Sequence, residues 1–270
     1  MCFVVAHISS TLNLGVYMTV GKKVLELDGV DKTFGAVNAL SGIQLSISSG
    51  EVVALVGDNG AGKSTLVKIA AGVIPPDHGQ IQFNGEPVNF RGPMEATRAG
   101  VAVIYQDLAL CDNLSVVANL FLGRELQNGI PLSPLQEEQM ESKVLELLQE
   151  LNVGQIREID IKVGNLSGGQ RQTIAIARSL IGDPKVVLLD EPTAALGVAQ
   201  KIEVLKLIRR LADRGIGVLV ISHNISEVLE VSDRVVVLRL GKVVANFETK
   251  KISSDDVVAA ITGSKNFNLS

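Results

Sequence analysis

The segment GDNGAGKST, residues 57–65, follows the apolar run Val52 to Val56 and fits the pattern GxxxxGK[ST] at every fixed position. Glycines in such a loop allow backbone N–H groups to converge on phosphate oxygens, and the helix that follows directs its positive end toward them. We therefore predict a nucleotide site in which Lys63 reaches the β- and γ-phosphates and the Ser64 hydroxyl binds Mg²⁺. The predicted phosphate-binding residues, here called the phosphate loop, are Gly57, Asp58, Asn59, Gly60, Ala61, Gly62, Lys63, Ser64 and Thr65.

The run VVLLDEP ends a predicted buried strand with two acidic residues, Asp190 and Glu191. We expect Asp190 to lie beside Mg²⁺ on a strand that neighbours the phosphate loop. Glu191 follows directly, where it can hold and polarise an attacking water as a general base. An acidic pair at the end of a strand is more often a helix cap or a solvated loop. Together with the phosphate loop, however, the pair indicates nucleotide hydrolysis.

The segment NLSGGQRQTIAIARSL, residues 165–180, contains a short glycine turn at the start of a predicted helix. Exposed N–H groups at that helix start form a second phosphate-binding surface. One nucleotide does not need two such surfaces in one chain. We therefore predict a dimer in which this segment of each copy closes on the other copy's ATP, although a simple helix N-cap is the alternative. The residues, here called the signature segment, are Ser167, Gly168, Gly169 and Gln170.

Composition indicates a globular protein and narrows the class of partners. The chain has 270 residues, 46% of them hydrophobic, and a formal net charge of −4. A mildly acidic chain with 3% aromatic residues does not fit a dedicated nucleic-acid binder. The two cysteines provide no disulfide framework. The apolar N-terminal stretch is interrupted at residues 7–10, and we expect no membrane-spanning helix.

The order of the predicted elements indicates an α/β fold. Half-exposed strand patterns occupy residues 24–34 and 39–51, and continuous apolar runs of the kind buried in parallel sheets end at Asp190 and at His223. Strands that alternate with helices predict a parallel sheet with right-handed crossovers. Residues from about 91 to 165 are dominated by helical patterns, which predicts a helical insertion. In it, Leu145, Leu148 and Leu151 are expected on the apolar side of one helix.

The ordered motifs from about residue 24 to residue 263 closely resemble those of an ATP-binding cassette (ABC) ATPase. The resemblance implies a P-loop NTPase (RecA-like) core with a parallel sheet, an N-terminal antiparallel β subdomain and an inserted α-helical subdomain. It implies ATP and Mg²⁺ as ligands. It also implies that Phe34 stacks on adenine, that Gln106 touches Mg²⁺ and the attacking water, and that His223 contacts the γ-phosphate.

The resemblance further implies a function, a set of partners and a location. The segments EPTAALGV and YQDLALCDNLSVVANLFLGRE are similar to those of the monosaccharide-importer branch, in its single-cassette form. A homodimer with two MgATP at its interface would power integral-membrane permease subunits at the cytoplasmic face of the inner membrane, served indirectly by a sugar-binding protein. The alternative is a soluble ABC-type ATPase acting in translation or DNA maintenance. The mild acidity and the lack of basic extensions do not favour this alternative, and no nucleic-acid partner is expected.

One position departs from the family pattern. The family's loop after the acidic pair generally ends in aspartate, whereas here Ala194, Ala195 and Leu196 are followed by Gly197. This puts the tuning of the dimer interface in question rather than hydrolysis itself. We expect a single ABC ATPase domain over residues 21–265, a C-terminal tail over 266–270, and an N-terminal stretch over 1–20 that is a tail or an over-long start, since Met18 is a more natural beginning.

Overall fold

The computed structural model describes residues 21–127, 134–153, 156, 158–265 and 267. The predicted N-terminal tail, residues 1–20, lies outside the described residues. The same holds for the predicted C-terminal tail except residue 267.

The described residues form ten strands and eight α-helices. The strands are β1 (Lys23–Phe34), β2 (Val37–Ser48), β3 (Val52–Val56), β4 (His78–Phe83), β5 (Glu86–Val88), β6 (Val101–Ile104), β7 (Val186–Asp190), β8 (Gly217–Ile221), β9 (Arg234–Arg239) and β10 (Lys242–Glu248). The helices are α1 (Lys63–Ala70), α2 (Pro93–Ala99), α3 (Val116–Phe121), α4 (Glu137–Glu150), α5 (Gly168–Leu180), α6 (Val198–Asp213), α7 (Ile225–Val231) and α8 (Ser254–Thr262).

A six-stranded sheet forms the centre of the fold, with the strand order β10-β9-β3-β8-β7-β6. Its strands β9, β3, β8, β7 and β6 run parallel, and β10 is antiparallel at one edge. Every residue of β3 and β8 is buried, as expected for strands that are covered on both faces. The carboxyl ends of parallel strands meet at one edge of the sheet. The loops after β3, β6, β7 and β8 are therefore neighbours.

A four-stranded antiparallel sheet with the order β2-β1-β4-β5 forms the second layer. Its apolar residues pack with α1 on one face of the parallel sheet, where Leu188 and Leu219 point. Val187 and Val218 point to the opposite face, which is covered by α5 and α6. This alternation follows from the two-residue period of a strand. The predicted fold class, a P-loop NTPase core with an antiparallel β subdomain, is confirmed.

The helical insertion begins later than predicted. The segment 91–165 contains β6, which pairs in parallel with β7 and belongs to the central sheet. The short apolar run Val101 to Ile104 is a strand because both of its faces are covered, which a helical pattern in the surrounding sequence obscured. The helices α3 and α4 follow β6 and make up the described part of the insertion.

The apolar side of α4 also differs from the prediction. Met140, Val144 and Leu148 are buried at helical spacing, and Leu151 packs directly after the helix. Leu145, expected on the same side, is 51% exposed. Three leucines spaced three residues apart could not by themselves indicate which two face the core.

None of the helices in the described ranges is long and apolar enough to span a membrane.

The two leucines of α4 provide a matched test of the packing. We expect Leu148→Ala to lower the free energy of unfolding by about 2–5 kcal/mol, because it leaves a cavity in a buried cluster. Leu145→Ala removes the same atoms from an exposed position on the same helix and should change stability by less than about 0.5 kcal/mol. Urea unfolding followed by circular dichroism measures both. Equal losses in the two variants would contradict the observed orientation of α4.

Candidate functional site

A cleft of about 650 Å³ lies at the carboxyl edge of the parallel sheet. It collects residues from the loops after β3, β6, β7 and β8, together with the start of β2 and the turn that joins β9 to β10. The chain segments meet here because the parallel strands all end at this edge. The lining residues are Val37, Asn38, Ala39, Asn59, Gly60, Ala61, Gly62, Lys63, Ser64, Thr65, Gln106, Asp190, Glu191, Ala194, Ile221, His223, Leu240 and Gly241.

The phosphate loop joins β3 to α1 in a conformation that requires glycine. Gly57 and Gly62 have φ values of +153° and +108°. A Cβ atom at Gly57 would lie 2.1 Å from the carbonyl oxygen of Leu238, and one at Gly62 would lie 2.6 Å from that of Ala39. The helix α1 begins at Lys63 without a side-chain cap on its first N–H groups. Such an uncapped helix start, close to the loop backbone, suits an anionic ligand.

The Lys63 side chain folds back over the phosphate loop. Its Nζ donates hydrogen bonds to the carbonyl oxygens of Gly57, at 2.7 Å, and Asp58, at 2.9 Å. Burial lowers the pKa of Lys63, and the nearby carboxylates of Glu191, Asp58 and Asp190 oppose this shift. The loop thus surrounds a partly buried cation that is available to a phosphate group.

The acidic pair, Asp190 and Glu191, ends strand β7 beside the phosphate loop. Burial raises the pKa of Asp190, the charge of Glu191 raises it further, and Lys63 acts in the opposite direction. Glu191 has a φ of +51°, a left-handed conformation that is uncommon for residues other than glycine. Its N–H donates to the carbonyl oxygen of Ile221 at 2.9 Å, which ties it to the end of β8.

His223 meets the acidic pair from the loop after β8. Its Nδ1 lies 2.9 Å from Oε2 of Glu191, so an Nδ1–H donates a hydrogen bond to that carboxylate. The Glu191 side chain is 17% exposed, whereas that of His223 is 78% exposed. The predicted general base and the predicted γ-phosphate contact are therefore direct neighbours, with the imidazole on the open side of the cleft.

Gln106 lines the cleft from the loop after β6. The rest of this loop is fixed by hydrogen bonds from α5, the helix that begins with the signature segment. Arg178 donates hydrogen bonds of 2.8 Å to the carbonyl oxygens of Leu108 and Ala109, and Ala109 has a φ of +47°. A strained loop is thus fixed by charge-assisted hydrogen bonds from α5. The sequence pattern alone did not single out Arg178.

The signature segment lies at the start of α5 and is not among the residues that line the cleft of its own chain. Ser167 Oγ accepts from the N–H of Gln170 at 3.3 Å, and Gln170 Oε1 accepts from the N–H of Ser167 at 2.9 Å. This capping box is also the helix N-cap that the alternative predicted. A Cβ atom at Gly169 would lie 2.9 Å from the side chain of Gln200, so close packing against α6 explains this glycine within the chain.

Phe34, the predicted adenine-stacking residue, ends strand β1 and is 50% exposed. Lys32 Nζ lies 5.7 Å from the centre of its ring. Phe34 is not among the cleft-lining residues, but Val37, at the other end of the same tight turn, is. The structure thus brings together four parts of the predicted site: the phosphate loop from Asn59 onward, Gln106, the acidic pair and His223. The remaining predicted residues lie outside the cleft lining, namely Gly57, Asp58, Phe34 and the signature segment.

The residues at the cleft fit a magnesium ion that binds together with a nucleotide. Ser64, Gln106 and Asp190 supply hydroxyl, amide and carboxylate oxygens, the donors that Mg²⁺ prefers. In the part of the chain that the structure describes, no group of three His, Cys, Asp or Glu side chains could hold a metal ion without further ligands. Mg²⁺ commonly uses one or two carboxylates and completes its ligands with phosphates and water. The neighbouring charges of Asp190 and Glu191 also favour the uptake of a cation.

Comparison with known proteins identifies the family. Residues 40–194 match the family model described as ABC transporter. The chain is 45% identical to the xylose/arabinose import ATP-binding protein XylG of Sulfolobus acidocaldarius over 239 residues, which cover 88% of this chain and 94% of that protein. The chain belongs to the ABC transporter ATP-binding family. The predicted resemblance and the predicted enzyme class, an ATPase, are confirmed.

Other members of the family support the same assignment. The fructose import ATP-binding protein FrcA of Rhizobium meliloti is 42% identical over 90% of this chain and 95% of that protein. The ribose import ATP-binding protein RbsA of Hahella chejuensis is 38% identical, but the chain spans only 48% of its length. The ADP conformation of MJ1267, an ATP-binding cassette of an ABC transporter, superposes with a TM-score of 0.77 at 29% identity, covering 89% of this chain and 99% of that one.

Proposed function

We propose that the chain is the ATP-hydrolysing subunit of an ABC importer for a monosaccharide. The observation that carries ATP hydrolysis is the convergence of Lys63, the acidic pair and His223 on one cleft. The likeness over most of the chain to the import ATP-binding proteins XylG and FrcA supports sugar import. The alternative, a soluble ATPase acting in translation or DNA maintenance, has no comparable support among these relatives.

The residues of the cleft divide the chemistry between them. The phosphate loop binds the β- and γ-phosphates through its backbone N–H groups and Lys63, and Phe34 stacks on adenine. Ser64, Asp190 and Gln106 would hold Mg²⁺, which would neutralise phosphate charge. Most of the rate enhancement in such reactions comes from positioning and charge stabilisation. The remaining proton transfer falls to Glu191.

Glu191 and His223 act as a unit in this proposal. Glu191 holds the attacking water and accepts its proton, because its carboxylate lies in the cleft next to Lys63 and Asp190. The hydrogen bond from His223 Nδ1 orients that carboxylate. The imidazole, mostly exposed, contacts the γ-phosphate. The left-handed backbone conformation of Glu191 costs free energy, and such strain is typical of residues whose side chain must point in a fixed direction for function.

A second copy of the chain completes each ATP site. The signature segment lies at the N-terminus of α5 and does not line the cleft of its own chain, which supports a role in another copy's ATP site. The cassette MJ0796, which is 27% identical with a TM-score of 0.69, forms a dimer in a state bound to ADP and Pi. Two copies would enclose two MgATP, close on binding and reopen after hydrolysis.

The permease would contact the dimer beside the loop that carries Gln106. Between β6, α3 and α5 lies a hollow of about 300 Å³ that includes Leu108 and Arg178. Tyr105 and Leu122 at this hollow are 40% and 45% exposed, respectively. A membrane subunit seated here would contact Tyr105 and Asp107, the two neighbours of Gln106 in the chain. It would hold the chain peripherally at the cytoplasmic face, while the permease and a sugar-binding protein select the sugar.

The general-base role is tested by Glu191→Gln. The variant should bind MgATP with near wild-type affinity, lose turnover by about 100-fold or more, and accumulate as an ATP-dependent dimer. Steady-state ATPase assays and size-exclusion chromatography with and without MgATP measure these effects. Glu86→Gln, at an exposed position in β5, is the matched control and should behave as wild type. Hydrolysis near the wild-type rate in Glu191→Gln would contradict the assignment.

The role of the signature segment in the partner's site is tested by Ser167→Arg. Turnover should be abolished, while the isolated chain keeps its affinity for ATP. The substitution also removes a helix cap, which costs about 1 kcal/mol. Ser253→Arg removes the same kind of capping box from α8 and controls for this loss. An equal collapse of ATP affinity in Ser167→Arg would show that the segment serves its own chain's site.

Sugar import is tested by deleting the gene in its source organism. We expect uptake of a labelled monosaccharide, tested among xylose, arabinose, fructose, ribose and galactose, to fall at least about tenfold. The wild-type gene should restore uptake and the Glu191→Gln gene should not. Uptake of a labelled amino acid serves as the control. Unchanged uptake of every sugar, together with a defect in translation or DNA repair, would favour the soluble alternative.

A further inference from the structure

Glu227 of α7 is the one charged residue classed as buried within the described ranges, with 8% exposure. Burying a carboxylate costs several kcal/mol unless its oxygens are paired. The sequence pattern did not indicate Glu227 as a functional residue, because it is one acidic residue in a short helix with an amphipathic pattern. Its position next to the cleft therefore requires an explanation.

Three side chains donate hydrogen bonds to the Glu227 carboxylate. Lys201 Nζ lies 2.9 Å from Oε1, and Asn224 Nδ2 lies 2.7 Å from the same oxygen. Thr193 Oγ1 donates to Oε2. Thr193 is itself buried, with 4% exposure. The carboxylate is thus compensated by one ammonium group and two neutral donors, which is the arrangement that makes a buried charge tolerable.

The donors lie on the segments that carry the proposed catalytic pair. Thr193 is two residues after Glu191, and Asn224 follows His223 directly. Lys201 lies in the first turns of α6, where its N–H bonds to the carbonyl oxygen of Gly197. Glu227 therefore joins three chain segments: the loop after β7, the loop after β8 and the start of α6.

These contacts reach the site through short backbone connections. The N–H of Ala194 donates to the carbonyl oxygen of Glu191 at 3.1 Å, so the turn that contains Thr193 closes on Glu191. Asn224 N–H donates to Ser222 Oγ at 3.0 Å, which fixes the turn around His223. Displacing either turn would change the 2.9 Å contact between Glu191 and His223.

We propose that Glu227 is a positioning residue for ATP hydrolysis, one that fixes the Glu191 and His223 loops relative to each other. The inference rests on the proposed roles of Glu191 and His223. In the network described above, Glu227 bonds to neither Glu191 nor His223. It takes no part in the chemical step. Glu227 also bonds to both ends of the loop between Thr193 and Lys201. Within this loop, Gly197 has no side chain that could make further contacts.

The first experiment compares Glu227→Gln with Glu230→Gln, the same substitution at an exposed position of the same helix. The glutamine amide faces three donors with only one acceptor oxygen and no charge for Lys201. We expect kcat to fall about 10–100-fold, as for a misplaced catalytic group, and KM for ATP to change less than about threefold. Glu230→Gln should match wild type. Unchanged kcat in Glu227→Gln would overturn the proposal.

A second pair of variants, at Thr193, tests the same proposal if Glu227→Gln does not fold properly. Thr193→Val removes the hydroxyl donor at nearly constant shape, and Thr193→Ser retains it. Thr193→Val should lower kcat with little change in KM or melting temperature, and Thr193→Ser should restore most of the rate. Parallel losses of melting temperature, ATP affinity and kcat in both Thr193→Val and Glu227→Gln would indicate a merely structural role and overturn the proposal.

A readout without turnover separates this inference from the proposed function. The chain has three histidines, and the His223 ring signal in an NMR spectrum of ring-labelled protein can be assigned with His223→Gln. Glu227→Gln should shift or broaden that signal in the nucleotide-free protein, and Glu230→Gln should not. An unmoved His223 signal would overturn the positioning role, whereas a wild-type protein without ATPase activity would overturn the proposed function.

Discussion

The negative charges of Asp190 and Glu191, crowded at the end of one buried strand, create the interaction on which the rest of the site depends. Burial and the charge of Glu191 raise the pKa of Asp190, and the nearby Lys63 acts in the opposite direction. A cation and a polyphosphate bring charges of both signs that match this arrangement. The cleft therefore suits the proposed ligand, ATP bound together with Mg²⁺.

Placing these charges requires a rigid frame and several anchored loops. The frame is the parallel sheet, whose buried strands β3, β7 and β8 end together at the cleft. The loops are held by polar side chains outside the reacting centre. Arg178 holds the loop after β6, and Glu227 holds the loops after β7 and β8. Each anchor is a partly or wholly buried charge with several hydrogen bonds, which gives direction as well as attraction.

The sequence predicted the fold class and many of the residues that line the cleft, because those features depend on local patterns. The phosphate loop, the acidic pair and the buried strands are read from consecutive residues. The boundary of the helical insertion was wrong, because the four residues of β6 become a strand only by pairing with β7. The exposure of Leu145 depends on which face of α4 meets its neighbours.

The anchors were missed for the same physical reason. Glu227, Thr193 and Lys201 are separated along the chain, and only the packing of α7 against α6 brings them together. No periodicity or motif records a contact of this kind. The position of Phe34 at a turn beside the cleft, rather than in its lining, likewise depends on how the β1–β2 turn sits over the phosphate loop.

Gly197 has a consequence for how freely this protein can change. Its φ and ψ of −71° and 162° suit any residue, and an added Cβ atom would lie 4.0 Å from its closest neighbour, Oε1 of Gln200. Gly57 and Gly62 of the phosphate loop, by contrast, are fixed by backbone contacts below 3 Å. The fold therefore accepts residues other than glycine at position 197. In the proposed dimer, the affinity between two copies could then change through this residue without a change in the chemistry of each ATP site.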